Sequence, residues 1–399
     1  NDIDKRKRAE YYYKQIFKQL TIELSKVKAK AHMLARQIRE IIEPVTIRRN
    51  RLDLIKNINY RNEVNELSKV ENPMEWFYGL TPDQLTFYDT VVNYFFAPPD
   101  EGGFFKGAIY QPYRYEKKTD IHLDEEQQTL ESHREQIQQQ NLYDIMRRML
   151  VKRFESSFGA FSKSIDNFIS ITEKVLEFIY KTGQNDPLKG EYILDRDLME
   201  KLLELSDDEV EEKLIEYETQ IALGVYPRKH KRYRIQSFAR GREFIEDIMS
   251  DLELFKRISQ KLNHLKLVEN DPKAECLIEE ISKIINDKPS PKEPKRKVII
   301  FSEYADTVKH LEERLGKINP TLAERTLVVS GNLPENTISV INKNFDASAK
   351  IQVNDYDILI CTDKLSEGFN LNRAGMIVNY DIPWNPVRVI QRVGRINRI

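Results

Sequence analysis

Four short runs in the last quarter of this chain are apolar at every position: Val298-Ile299-Ile300-Phe301, Leu327-Val328-Val329, Ile358-Leu359-Ile360 and Met376-Ile377-Val378. A strand with one face in water alternates apolar and polar residues, so an unbroken apolar run predicts a strand covered on both faces. Parallel strands meet that condition, because each needs a crossover and the crossover helices cover the sheet. The gaps hold such helices, as around Val308, Leu311 and Leu315. The carboxyl-terminal part therefore reads as an α/β domain, an open parallel sheet with crossover helices.

Upstream the patterning is helical. The Pro-rich stretch Asp287-Lys288-Pro289-Ser290-Pro291-Lys292-Glu293-Pro294 reads as a linker. Residues 1–70 carry seventeen Lys and Arg against nine Asp and Glu. Within them Tyr13, Ile16, Phe17, Leu20, Leu24 and Val27 recur at helical spacing, predicting an amphipathic helix that runs toward Ile42 and ends at Pro44. From Glu71 the block is again mainly helical, broken by a loop at Pro98-Pro99-Asp100-Glu101-Gly102-Gly103. Two stripes, Leu142, Ile145, Met146, Met149 and Phe161, Ile165, Phe168, Thr172, Val175, Ile179, read as packed core of a helical bundle. Charge is segregated here: twelve acids lie between Glu191 and Glu218, and seven bases with no acid between Tyr226 and Arg242. The basic stretch, with Arg228, Lys229, Lys231 and Arg232 interleaved by Tyr226, Tyr233 and Phe238, reads either as a solvated turn or as a phosphate-backbone contact.

Several classes are disfavoured. The formal net charge is -1, so any nucleic-acid surface must be local. Cys276 and Cys361 form no CxxC pair, and the six histidines lack ligand spacing, so neither a disulfide scaffold nor a metal site is expected. No apolar run suits a membrane span and no signal core follows Asn1, which points to a cytoplasmic setting. The first residue is not Met, so a preceding segment is expected.

In parallel sheets function gathers in loops at the carboxyl ends of the strands. Here they are Ser302-Glu303-Tyr304, Ser330-Gly331-Asn332, Thr362 to Asn370 and Asp381 to Pro386. Their hydroxyls, amides and backbone N–H groups suit a phosphate or sugar. Asn385 is a good N-cap and Pro386 a good first residue, so a final helix should begin there. Gln391, Arg395 and Arg398 then fall on one face, and Val387, Ile390 and Gly394 on another that can pack on the sheet.

These residues carry a resemblance. Gln391-Arg392-Val393-Gly394-Arg395-Ile396-Asn397-Arg398 resembles motif VI of superfamily 2 helicases, Q-R-x-G-R-x-x-R. Thr362-Asp363 with Glu367-Gly368-Phe369-Asn370-Leu371 resembles motif V, and Lys297-Val298-Ile299-Ile300-Phe301-Ser302 resembles motif IV. Within the superfamily the chain is similar to the Swi/Snf-type ATPases: Lys273 with Leu277, Ile278 and Ile281 resembles the lead-in to their second lobe. Leu80-Thr81-Pro82-Asp83-Gln84 with Tyr88 resembles their helical region, and Arg48-Arg49 after Pro44-Val45 the exit from their first lobe.

The resemblance implies a basic helical stalk at 1–70, a helical insertion at 71–270 and a RecA-like lobe at 271–399. That lobe would close on an N-terminal RecA-like lobe of the same parent chain around ATP and Mg2+, stepping along double-stranded DNA without sequence preference. Arg395 and Arg398 would be arginine fingers on the γ-phosphate and Gln391 would support them. Gly368 and Asn370, with Glu367 beside them, would border the nucleotide. Ser302, Thr362 and Asp363 would sit near the tracked strand.

The sequence departs from the family in three respects. No Arg occurs between Asn332 and Phe345, where the family often has one, and no closing strand follows Ile399. There is no GxxxxGK[ST] and no DEAD-like acidic box; Asp100-Glu101-Gly102 sits in a loop. The chain alone is therefore expected to be silent in ATP hydrolysis and to hold no cofactor tightly. A partner-binding scaffold that kept the fold without the motor is the alternative reading. A nuclease, suggested by carboxylates near Lys364, is the third.

Overall fold

The four apolar runs form strands β3 (Val298–Ser302), β4 (Thr326–Val329), β5 (Ile358–Thr362) and β6 (Met376–Asn379) of one parallel sheet, in the order β4-β5-β3-β6. In this computed structural model the described residues are Tyr13, Phe17 and 24–42, 71–116, 126–194, 231–287, 296–330, 333–366, 368–383 and 385–397. The register pairs Ser302 with Thr362 and Phe301 with both Cys361 and Asn379. Central strands β3 and β5 are buried at every position, while edge strand β6 is half-buried throughout. Alternate side chains of the central pair feed two cores. Val298, Ile300, Ile358 and Ile360 meet α6 (Pro272–Asn286) and α7 (Ala305–Ile318) through Leu277, Ile281, Leu311 and Leu315. On the other face Ile299, Phe301, Leu359 and Cys361 meet Ile341 and Phe345 of α9 (Glu335–Phe345). Two-sided burial is the physical reason these strands carry no polar alternation. Helix α6 starts where Asp271 accepts from the N–H groups of Lys273 and Ala274 at 3.0 and 3.1 Å, with Pro272 in the first turn. A short helix, α8 (Pro320–Glu324), leads into β4, and α10 (Pro386–Ile396) ends the lobe.

The chain divides into two compact units, residues 1–71 and 72–398. In the first, α1 (Leu24–Ile42) carries an exposed Arg36–Glu40 pair at 3.1 Å, and the rings of Tyr13 and Phe17 stack at 4.5 Å. The expected end at Pro44, and Arg48-Arg49, lie outside the described residues, as does the linker 288–295.

The second unit also holds the helical region. Thr81 and Gln84 form a reciprocal capping box at the start of α2 (Pro82–Thr90). The loop expected at residues 98–103 is a turn in which Gly102 takes φ of +86°. Helices α3 (Glu126–Ser156), α4 (Phe158–Thr182) and α5 (Gly241–His264) enclose an aromatic core built from Phe96, Phe105, Phe154, Phe161, Phe168 and Phe255. Every member of the α4 stripe is buried. The α3 stripe needs one correction: Ile145 is exposed, and Tyr143 and Leu150 take its place. The centre of the face through Leu142, Tyr143, Met146 and Leu150 lies roughly 100° of arc from Ile145. A second correction concerns the charged stretches, where two strands interrupt the helical pattern. Strands β1 (Glu191–Leu194) and β2 (Lys231–Arg234) pair antiparallel, Tyr192 opposite Tyr233. Among the described residues no helix is long and apolar enough to cross a membrane.

Candidate functional site

The carboxyl ends of β3, β5 and β6 lie side by side, and their loops are closed by α10. Asn385 caps that helix by accepting from the Val387 N–H at 3.0 Å, with Pro386 in its first turn. What docks the helix is charge. Arg392 is fully buried, and all three of its guanidinium nitrogens donate hydrogen bonds. Nε and Nη2 donate to the two carboxylate oxygens of Asp363 at 2.6 and 2.9 Å, and Nη1 donates to Asn379 Oδ1 at 2.9 Å and the Asp381 carbonyl at 3.2 Å. The forked fit to one carboxylate uses the planar geometry only arginine offers. Arg388, one turn earlier, reaches Glu303 at 3.3 Å and Asp363 at 3.6 Å. Burial and the neighbouring Asp381 raise the Glu303 carboxyl above its ordinary range.

This arrangement corrects the expected orientation of α10. Val387 and Ile390, expected against the sheet, are 51% and 70% exposed, while Arg392 and Arg395 are buried. The sheet ends in carboxylates and carbonyls at this edge, so arginines find partners there and the aliphatic face turns outward. Gln391 lies on the exposed face, whereas Arg395 points inward, its Nη1 3.4 Å from the Phe369 carbonyl. The Leu371 N–H donates to the Arg395 carbonyl at 3.0 Å, tying the 368–371 loop to the helix. Gly368 in that loop is exposed, takes φ of +86° and has open space where a Cβ would stand; Asn370 is half-buried. Backbone left open beside a guanidinium suits an anionic ligand. Glu367 and Arg398 lie outside the described residues.

Ser302, Thr362 and Asp363 converge on the same edge, yet none offers a free side chain outward. Ser302 and Thr362 are buried, and Asp363 is held by Arg392. Of the basic stretch, Arg228 and Lys229 lie outside the described residues. Lys231 and Arg232 sit on β2, where Arg232 pairs with Glu191 and Lys231 lies 3.5 Å from Glu116 and over the Tyr233 ring. Tyr233 and Phe238 belong to the core.

Sequence reasoning gave Arg392 no role, and it placed Asp381 in a functional loop without its tie to Ser156. Asp381 Oδ2 accepts from the hydroxyls of Ser302 and Ser156, each at 2.6 Å, and Oδ1 accepts from the Glu303 N–H at 2.8 Å. Ser156 ends α3, so the helical region touches this edge. Beside it Lys273 Nζ donates to the carbonyls of Glu155 and Ser156 at 2.7 and 2.9 Å and lies 4.3 Å from the Tyr380 ring centre. Burial lowers its pKa to about 8, against the upward pull of Asp381 and Asp271. Local signals existed only for Arg392, as the second residue of its motif; the Ser156 contact spans 225 positions.

Comparison with known proteins agrees with this geometry. The helicase conserved C-terminal domain matches residues 272–399. The uncharacterized ATP-dependent helicase YqhH of Bacillus subtilis is 32% identical over 142 residues, covering 36% of this chain and 22% of that protein. The ATP-dependent DNA helicase MPH1 of Pyricularia oryzae is 26% identical over 102 residues, covering 26% and 9%. The SNF2 domain-containing protein CLASSY 4 of Arabidopsis thaliana is 31% identical over 109 residues, covering 26% and 9%. The chain thus spans less than a quarter of the length of these curated relatives. A crystal structure of the C-terminal part of the Fun30 ATPase domain aligns over 81% of this chain and 79% of its own at 16% identity, with a TM-score of 0.34. Motifs, sheet and family match together identify residues 272–399 as a helicase conserved C-terminal domain, a RecA-like second lobe of superfamily 2 with likeness to the Swi/Snf-type ATPases.

Proposed function

We propose that this chain is the carboxyl-terminal part of an ATP-dependent DNA translocase or helicase, and that residues 272–399 close on an N-terminal RecA-like lobe of the same parent chain around ATP. The observation that carries this reading is the direct tie between the two motifs: the Leu371 N–H on the Arg395 carbonyl at 3.0 Å makes the Gly368–Asn370 loop and the finger arginine move as one piece. When bound, ATP supplies the transferable phosphoryl group and Mg2+ spreads its charge, both held mainly by the other lobe. Arg392, committed to Asp363, Asn379 and Asp381, is the brace that fixes α10. Arg395 is the finger. Its Nη1 lies 3.4 Å from the Phe369 carbonyl, in the loop that would border the nucleotide. Arg398 would be the second finger, and Gln391, on the exposed face of α10, would support the pair. Ser302, Thr362 and Asp363 would meet the tracked strand through the backbone of their loops, since their side chains are engaged or buried. Sequence-independent contact with DNA phosphates would come from the basic 1–70 segment and from Arg228 and Lys229.

In the full-length parent, Arg395→Ala should cut DNA-stimulated ATP turnover by roughly 10³-fold while ATP affinity changes much less. A melting curve on the same protein separates a lost finger from a lost fold. Normal turnover in a well-folded Arg395→Ala protein would end the assignment, and a wild-type parent with no DNA-stimulated turnover would favour the scaffold reading.

A further inference from the structure

The helical region and the RecA-like lobe meet at a polar junction that lies beneath the motif VI helix. Helix α3 ends at Ser156 and α4 begins at Phe158, with Ser157 between them in an extended conformation, φ -158° and ψ 135°. This corner is inserted against the start of α7 and the end of β6. Ser156 and Thr307 are fully buried, and their hydroxyls lie 2.8 Å apart. The Ser156 hydroxyl donates to Asp381 Oδ2 at 2.6 Å, on the same oxygen that Ser302 uses.

We propose that Ser156 is a positioning residue for motif VI, coupling the helical region to the finger arginine through Asp381. Asp381 is the hub of this route. Its carboxylate is shared between Ser156, Ser302 and the Glu303 N–H, while its carbonyl accepts from Arg392 Nη1 at 3.2 Å. A displacement of the α3–α4 corner therefore moves the residue that helps to hold Arg392. Arg392 lies one turn before Arg395 on the same helix. The corner has ties to the lobe besides the Ser156 hydroxyl. Arg153 and Lys163 both pair with Asp306, and Lys273 Nζ holds the Glu155 and Ser156 carbonyls. A short hydrogen bond between a buried hydroxyl and a carboxylate is directional as well as strong, so it fixes Asp381 relative to the corner. Force applied to the helical region by a bound nucleic acid would reach Arg395 by this path, and nucleotide closure would return along it.

The inference rests on the function proposed above, and the test separates the two. In this 399-residue chain, Ser156→Ala should speed amide hydrogen exchange across residues 386–396 by about tenfold, the loss of one charge-assisted bond, with exchange in α4 and α5 unchanged. In the full-length parent the same substitution should lower DNA-stimulated kcat several-fold at unchanged KM for ATP, and should add nothing in an Asp381→Asn background. Unchanged exchange in α10, or a rise shared equally by α4 and α5, overturns the proposal because the hydroxyl then acts only in the general stability of the fold. Raised exchange in α10 with wild-type kcat overturns it too, since position would not be reaching the finger. A wild-type parent without ATP turnover defeats the functional reading first, and that failure is visible before any substitution is made.

Discussion

Replacing Arg392 should destabilise the RecA-like lobe more than replacing any other arginine of α10. Its guanidinium makes four hydrogen bonds, two of them to one carboxylate, from a side chain with no exposed surface. Truncation to Ala leaves Asp363 without its fork, and breaking a buried pair in this way costs about 3–5 kcal/mol. Two features favour the lower end: the Asp363 side chain keeps 14% exposure, and Arg388 stands 3.6 Å away. Loss of the stem beneath Phe301, whose ring centre lies 5.3 Å from the guanidinium carbon, adds about 1 kcal/mol. The expected total is roughly 4 kcal/mol, a large part of the ~5–15 kcal/mol that holds a typical domain. Arg392→Lys keeps a charge but cannot fork, and should cost about 2 kcal/mol. Because the chain has two compact units, the readout must belong to the lobe, and amide exchange of β3 and β5 under native conditions reports its opening free energy. Arg392→Ala combined with Asp363→Ala should cost well under the sum of the single changes. A cost below about 1 kcal/mol for Arg392→Ala, or strict additivity with Asp363→Ala, would refute the claim that this pair docks α10.

Two further outcomes are expected in the helical region. Asp251 accepts from the N–H groups of Lys106 and Ala108 at 2.7 and 3.3 Å, and burial raises its carboxyl to about 7 despite those bonds. The folded form therefore holds a proton that the unfolded chain releases near pH 4, so this group's contribution to stability is fully present below pH 4 and is lost as the pH rises through about 7, by up to ~4 kcal/mol. Asp251→Asn should flatten that slope in urea titrations across the window, and a slope equal to wild type would refute the assignment. At Gly159 an added Cβ would overlap the His310 imidazole, so Gly159→Ala should lower stability by about 1–3 kcal/mol, and an unchanged melting temperature would show that α4 and α7 pack more loosely than described.

The sequence showed the sheet clearly because burial on both faces leaves a local mark. Each strand of the lobe could be read from a few adjacent residues, and the start of α10 from Asn385 and Pro386 alone. The stalk's one described helix and the α4 stripe were legible for the same reason. Periodicity was weaker for α3, where the expected stripe shared Leu142 and Met146 with the true face but took in the exposed Ile145. The β1–β2 ribbon escaped because Glu191 and Arg232 each look like part of a charged run, and only their pairing across 41 positions makes them a strand contact. The orientation of α10 failed for a deeper reason. A rule that apolar residues face inward assumes an apolar surface to meet, whereas the strand ends at Asp363, Asn379 and Asp381 present oxygen atoms. A helix with arginines on one side and Val387 and Ile390 on the other can satisfy only one demand, and a buried carboxylate without a partner is the costlier loss. The exposed Val387, Ile390 and Gln391 are then the remainder of that choice. In the proposed motor Arg392 braces the helix from within, and the finger role falls to Arg395 beside the Phe369 carbonyl.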